Sequence, residues 1–252
     1  MPAMSLTNPH RALVLGYGSL LATVAGYVNA VAILTLAIPV GNLTATTTRL
    51  GMDTANPWLF ESSLLVLILI GFLLGAAVAG ATLSPTRTHA GVRHSAIMIG
   101  EASLFVLTFA LTENRLSVLL AAVACGLQNG TTSSLRTMQI RTTHFTGTVT
   151  DLGLLIGRSG RHGIDKWRAA VLSATMVTFI TGAIAGTLLG TRIGKAALLL
   201  PAAVCVLIAV AGLVYDRRSS APASATVLAL RGAADRDEPE HGHDSMPMYR
   251  VG

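Results

Sequence analysis

Charge is scarce in this chain. Asp, Glu, Lys and Arg make up only 12% of its 252 residues, about half the roughly 25% usual in a soluble domain. A soluble fold needs polar side chains to cover its surface, and there are too few here. Aromatic residues are also few, at 5%. The net charge of +6 therefore has no basic stripe with interleaved rings behind it, and nucleic acid is excluded as a partner. Two cysteines, Cys125 and Cys205, both inside apolar runs, cannot make a disulfide framework and read as small buried hydrophobes. Enzyme signatures are missing as well: no Gly-x-Ser-x-Gly elbow, no P-loop, no His-Glu-x-x-His helix and no Cys-x-x-Cys. No catalytic residue, cofactor or metal is assigned.

Long apolar runs take the place of charge. Hydrophobic residues reach 52% and the mean hydropathy is +0.62. A helix needs about 20 apolar residues to cross roughly 30 Å of hydrocarbon. Six stretches suffice: Ala12–Val40, Ser62–Leu83, Ser95–Thr112, Leu116–Leu135, Ala169–Gly190 and Ala196–Tyr215. The first is too long for the apolar core of a secretory signal and reads as a retained span. The expected class is an all-α polytopic membrane protein with the lipid bilayer as its principal partner.

Lys and Arg in the short loops set the orientation. With a cytoplasmic N-terminus, that side receives Arg11, Arg87, Arg93, Arg136, Arg141, Arg158, Arg161, Lys166, Arg168, Arg217 and Arg218. The other side receives Arg49, Arg115, Arg192 and Lys195. Both termini are thus expected in the cytoplasm. Residues 1–215 read as the membrane domain. Residues 216–252, rich in Ser, Ala, Pro, Asp, Glu and His, read as a disordered cytoplasmic tail. His241, His243 and Asp244 in that tail read as solvated polar residues rather than as a metal site.

The chain repeats itself faintly. Gly26-Tyr27-Val28-Asn29-Ala30 in the first span answers to Gly126-Leu127-Gln128-Asn129-Gly130 in the fourth. A Thr-rich stretch follows each: one from Gly41-Asn42-Leu43-Thr44 to Arg49-Leu50-Gly51, the other from Gly147-Thr148 to Asp151-Leu152-Gly153. Next come spans with glycines at four-residue spacing: Gly71 and Gly75, then Gly182, Gly186 and Gly190. Three spans repeated as three spans force the second unit upside down. That gives two inverted three-helix repeats, about 12–112 and 116–215, an arrangement found in many transporters.

These motifs, with Arg141-Thr142-Thr143-His144-Phe145-Thr146-Gly147-Thr148-Val149-Thr150-Asp151-Leu152-Gly153 as the most specific block, resemble the YoaK-like family over roughly residues 12–215. That family is a bacterial set of membrane proteins of unknown function with about six spans. The resemblance implies a bacterial inner (plasma) membrane location and supplies no chemistry. The chain departs from the family's usual pattern at Asn29, where an Asp is common, and at Val40-Gly41-Asn42, where Thr-Gly-Asn is common.

Polar groups in hydrocarbon need a partner or a water-filled cavity. Asn29, Gln128 and Asn129 are candidates for a solute site or for interhelical hydrogen bonding. The Thr-rich stretches, with Asn42, Thr44, Thr146, Thr148 and Asp151, read as broken or re-entrant segments that build a central site, or else as exposed connections. Glu101 stands alone as an acid deep in a span and is a candidate for proton coupling. Asp151, Arg141 and His144 could cluster at the cytoplasmic mouth. Gly182, Gly186 and Gly190 form a small-residue face that suits packing between the halves or a homo-oligomer contact. The expected function is a small-solute transporter or permease. A membrane-embedded enzyme on a hydrophobic substrate, or a non-transporting scaffold, is the alternative.

Overall fold

The computed structural model describes residues 9–56, 61–83, 91–111, 115–134 and 143–234. All regular structure among them is helical: α1 (Pro9–Leu36), α2 (Leu43–Ala55), α3 (Ser62–Thr82), α4 (Val92–Ala110), α5 (Arg115–Ser133), α6 (Phe145–His162), α7 (Lys166–Ile193), a 3-10 turn (Gly194–Leu198) and α8 (Leu199–Ala234). Contacts divide the chain after Leu213 into two units, and the first holds everything discussed below. Past Leu213, α8 remains helical to Ala234, where the sequence suggested a disordered tail from residue 216. Ala221, Ala223, Ala225 and Ala229 there are strong helix formers. His241, His243 and Asp244 lie outside the described residues.

Four stretches are long and apolar enough to cross a membrane: Arg11–Leu36, Ser62–Thr82, Val92–Ala110 and the 52-residue run Lys166–Arg217. The sequence reading expected six. α5 falls short because Ser117, Gln128, Asn129, Thr131 and Thr132, all buried, lower its hydropathy. The long run is two helices. A straight helix of that length would measure about 78 Å, yet the chain turns back at Gly194, whose φ of 56° suits only a residue without a β-carbon. Large side chains on these helices stay uncovered: Leu13, Leu73 and Leu207 are each 68% exposed. Such apolar surface is rare on a soluble monomer and is what lipid would cover.

Three apolar clusters at different depths give the helix directions. Ala79, Ile97, Met98, Leu127 and Ala209 pack together at one end. Ile68, Phe105, Ala121 and Ala202 share the middle with Val24 and Val28. Tyr27, Val31, Ala197 and Leu198 meet Phe109 at the other end. Tyr17 lies against His94 near the start of both α1 and α4. Hence α1, α4 and α7 run one way, and α3, α5 and α8 run the other.

The closest crossings are made by glycine. A β-carbon added at Gly26 would fall on the backbone carbonyl of Phe179, and one at Gly182 on that of Thr23. In the other pair, a β-carbon at Gly126 would fall on the carbonyl of Phe72, and one at Gly75 on that of Val123. So α1 packs on α7, and α3 on α5, with parallel direction and backbone against backbone, as small residues allow. The two crossings match residue for residue: Gly26 with Gly126, Thr23 with Val123, Phe179 with Phe72, Gly182 with Gly75. Gly182, Gly186 and Gly190 are therefore covered by α1 of the same chain, the packing between the halves that was one of the two uses expected of them.

Overpacking costs about 1–3 kcal/mol. Gly126→Ala and Gly182→Ala are each expected to lower stability by about that amount, read by thermal unfolding in detergent. Gly80→Ala is expected to be neutral, because nothing lies within 4 Å of its added carbon.

Candidate functional site

Most of each Thr-rich stretch is helical; the chain breaks at Gly41, as expected, but not at Gly147, which lies inside α6. Thr46, Thr47 and Thr48 donate to the carbonyls of Asn42, Leu43 and Thr44, four residues back. Thr148 and Thr150 do the same to His144 and Thr146. Each hydroxyl is thereby satisfied inside its own helix, with no break required. The breaks precede these helices, at Gly41–Asn42 and Thr143–His144. Asn42 caps α2, its side-chain oxygen accepting from the Ala45 N–H at 3.1 Å. His144 occupies the same place before α6 without a side-chain cap.

One amide fixes each break. Asn29 of α1 accepts from the Gly41 N–H at 3.3 Å. Asn129 of α5 accepts from the Thr143 N–H at 3.4 Å and donates to the Cys125 carbonyl at 3.0 Å. Gly41 and Thr143 themselves touch: a β-carbon on Gly41 would lie 3.3 Å from the Thr143 methyl. Equivalent points of the two halves therefore meet.

Around this meeting point lies a cavity of about 550 Å³. Asn29, Asn42, Thr44 and Phe179 line it, with Asn129, His144, Thr146 and Phe72 at the matched positions. Leu43 and Phe145 add apolar wall, and Ala76, Gly130 and Ser133 extend the lining along α3 and α5. The Phe145 and Phe179 rings pack at 4.6 Å. The first residues of α2 and α6 are on this wall, so two helix N-termini, with amides left over by helix geometry and partial positive charge, face the space.

Of the residues singled out from the sequence, Asn29, Asn42, Thr44, Asn129 and Thr146 come together here. Gln128 does not: it is buried and donates to the Leu21 carbonyl at 3.2 Å, tying α5 to α1. Thr148 is turned into its own helix. Asp151 pairs with Arg168 at 3.0 Å on an exposed face, a contact of the kind worth about 0–1 kcal/mol. Arg141, its expected neighbour, lies outside the described residues. Glu101 is fully buried on α4 and does not line the cavity. Sequence reasoning missed Phe72 and Phe179, although they hold equivalent places in the second and fifth spans, and it set His144 beside Asp151 at a cytoplasmic mouth rather than on the cavity wall. It also missed Asp53, a buried acid of α2 that accepts from the Ser62 hydroxyl.

A family model described as Protein of unknown function (DUF1275) matches residues 17–211. The chain belongs to the DUF1275 family. No curated protein and no solved structure matches it. The DUF1275 match takes in every residue of the cavity wall and Glu101, and it ends before the second unit begins.

Wall and non-wall threonines are distinguishable by thiol chemistry. Thr44→Cys and Thr146→Cys are expected to react with a small water-soluble thiol reagent, and Thr148→Cys to stay inert. The two native cysteines are buried and give a low background. Mass spectrometry of the labelled chain reads the outcome.

Proposed function

We propose that this DUF1275 protein moves a small polar solute across a membrane, binding it in the central cavity while its two halves rock about that point. The observation that carries the reading is the matched wall, which sets Asn29 against Asn129, Thr44 against Thr146 and Phe179 against Phe72. A site built twice, by halves that run oppositely, can be offered to either side by equivalent motions. The reading takes α5 and both arms of the long C-terminal run as crossings. That makes six spans in two inverted repeats, with both termini in the cytoplasm by the Lys and Arg balance. The resemblance to the YoaK-like family supports the bacterial inner membrane as the location.

The wall favours a class of solute. Its volume falls in the roughly 300–1,000 Å³ range of small-molecule sites. Amides, hydroxyls and two helix N-termini offer hydrogen-bond donors, and no acid is among the described wall residues. A neutral or anionic polar molecule fits this better than a cation. The enzymatic alternative needs Glu101, His144 and Asp151 in one site. They have three different surroundings: a buried helix face, the cavity wall and an exposed ion pair. A scaffold would need no cavity at all.

The test begins with a thermal-shift screen of the purified protein against neutral and anionic polar solutes, since a bound ligand raises stability. Uptake of the stabilising solute into proteoliposomes is expected to fall at least about tenfold, the loss of roughly 1.4 kcal/mol of binding, in Asn129→Ala and in Thr146→Val. Unchanged uptake in both variants would remove the central site from the reading.

A further inference from the structure

We propose that Glu101 is a proton-loading carboxyl, separate from the solute cavity and reached through His94 and Tyr17 from the end of the bundle where α1 and α4 begin. Its role as a coupling site rests on the transport reading above; its loading does not.

Glu101 is 0% exposed, neither carboxyl oxygen has a partner at full hydrogen-bond geometry, and a weak thiol donor, Cys205 of α8, stands beside it. Most buried polar atoms are paired, and an exception calls for a reason. A carboxylate with only a weakly donating thiol beside it and no cation, in apolar surroundings, is very costly, so the group rests here as the neutral acid. It can ionise only when the helices shift and bring donors or water to it. An acid whose proton is tied to conformation in this way is what a proton-driven cycle requires.

A polar route leads to it. His94, Met98 and Glu101 follow one another on a single face of α4, at positions i, i+4 and i+7. The Tyr17 hydroxyl of α1 lies 2.7 Å from His94 Nε2 and 4.0 Å from the Met98 sulfur. The Tyr17 and His94 rings meet edge to face at 5.5 Å. His94 Nδ1 is buried without a partner, so the imidazole has one engaged nitrogen and one idle one. The titratable groups that face Glu101 are Tyr17 from α1, Cys125 from α5 and Cys205 from α8, with His94 two turns back on its own helix. His94 is two residues inside the start of α4 and so, of these groups on α4, stands nearest that end of the bundle.

The protons balance simply. His94 gains a proton at Nδ1 and releases one from Nε2 to Tyr17 Oη, while the Tyr17 hydroxyl proton passes to the Glu101 carboxylate. The net change is one proton moved to Glu101, with only N–H and O–H bonds made or broken; because His94 Nδ1 is itself buried, solvent can supply that proton only when this end of the bundle opens. No hydrogen bond joins Tyr17 to Glu101 in this structure, so the last transfer needs the carboxyl to swing toward α1.

Infrared difference spectroscopy of the full chain in liposomes tests this with the proton as the only probe. It needs no solute, so failure of the transport reading would leave the result standing. Stepping the pH is expected to produce a band for a protonated carboxyl in a dry environment, and Glu101→Gln is expected to lose it. Tyr17→Phe should keep the full amplitude but slow the band's appearance about tenfold or more after a pH jump, as loss of a proton-transfer group does. A band unchanged by Glu101→Gln, or absent from the wild type at every pH, would overturn the loading site. Wild-type kinetics in Tyr17→Phe would overturn the route.

Discussion

Two helix pairs in this protein approach until backbone touches backbone, and the other elements are arranged around those crossings. In lipid there is no hydrophobic drive between helices, so packing and interhelical polar contacts must hold them. Glycine at the crossing of α1 with α7, and again at that of α3 with α5, gives the closest approach a helix pair can have. Each crossing joins a helix from the first half of the chain to one from the second. The halves are thus interlocked through equivalent residues, and the space between the crossings is lined by side chains from both.

Polar groups within this framework are used sparingly. Threonine hydroxyls along α2, α5, α6 and α7 close on carbonyls of their own helices. They add no demand for partners and let helices carry polar residues in an apolar setting. The amides act over longer range: Asn29 and Asn129 hold the two chain breaks, and Gln128 holds α5 to α1. Glu101, with both oxygens unmatched, stands apart from this economy.

Much of the helical architecture was legible in the sequence because a long apolar run is what a bilayer-crossing helix requires. The stretch Ser62–Leu83 covers α3 and its C-cap, and Ala169–Gly190 lies within α7. The cavity was partly legible, through Asn29, Asn129 and the threonines beside Gly41 and Gly147. What composition could not separate is direction. Gln128 and Asn129 are neighbours with similar chemistry, yet adjacent residues point about 100° apart on a helix; one reaches the α1 backbone and the other the cavity. Thr146 and Thr148 divide in the same way. The first break falls at Gly41, as its composition suggested, while the second falls ahead of Gly147, because composition does not reveal that a hydroxyl can bond four residues back and keep the stretch helical. For the glycines on α7 the sequence left two uses open, packing between the halves or against a second copy, because a small-residue face does not name its partner.

The proposed opposite sense of the two halves is the point on which everything functional rests, and labelling from defined sides of the membrane reads it most directly. Ala55 near the end of α2 and Gly157 on α6 are both exposed and hold equivalent positions in the two Thr-rich helices. Ala55→Cys and Gly157→Cys should react with an impermeant thiol reagent from opposite faces of oriented vesicles. Reaction of both from the same face would contradict the inverted pairing, and with it the alternating use of a single central cavity.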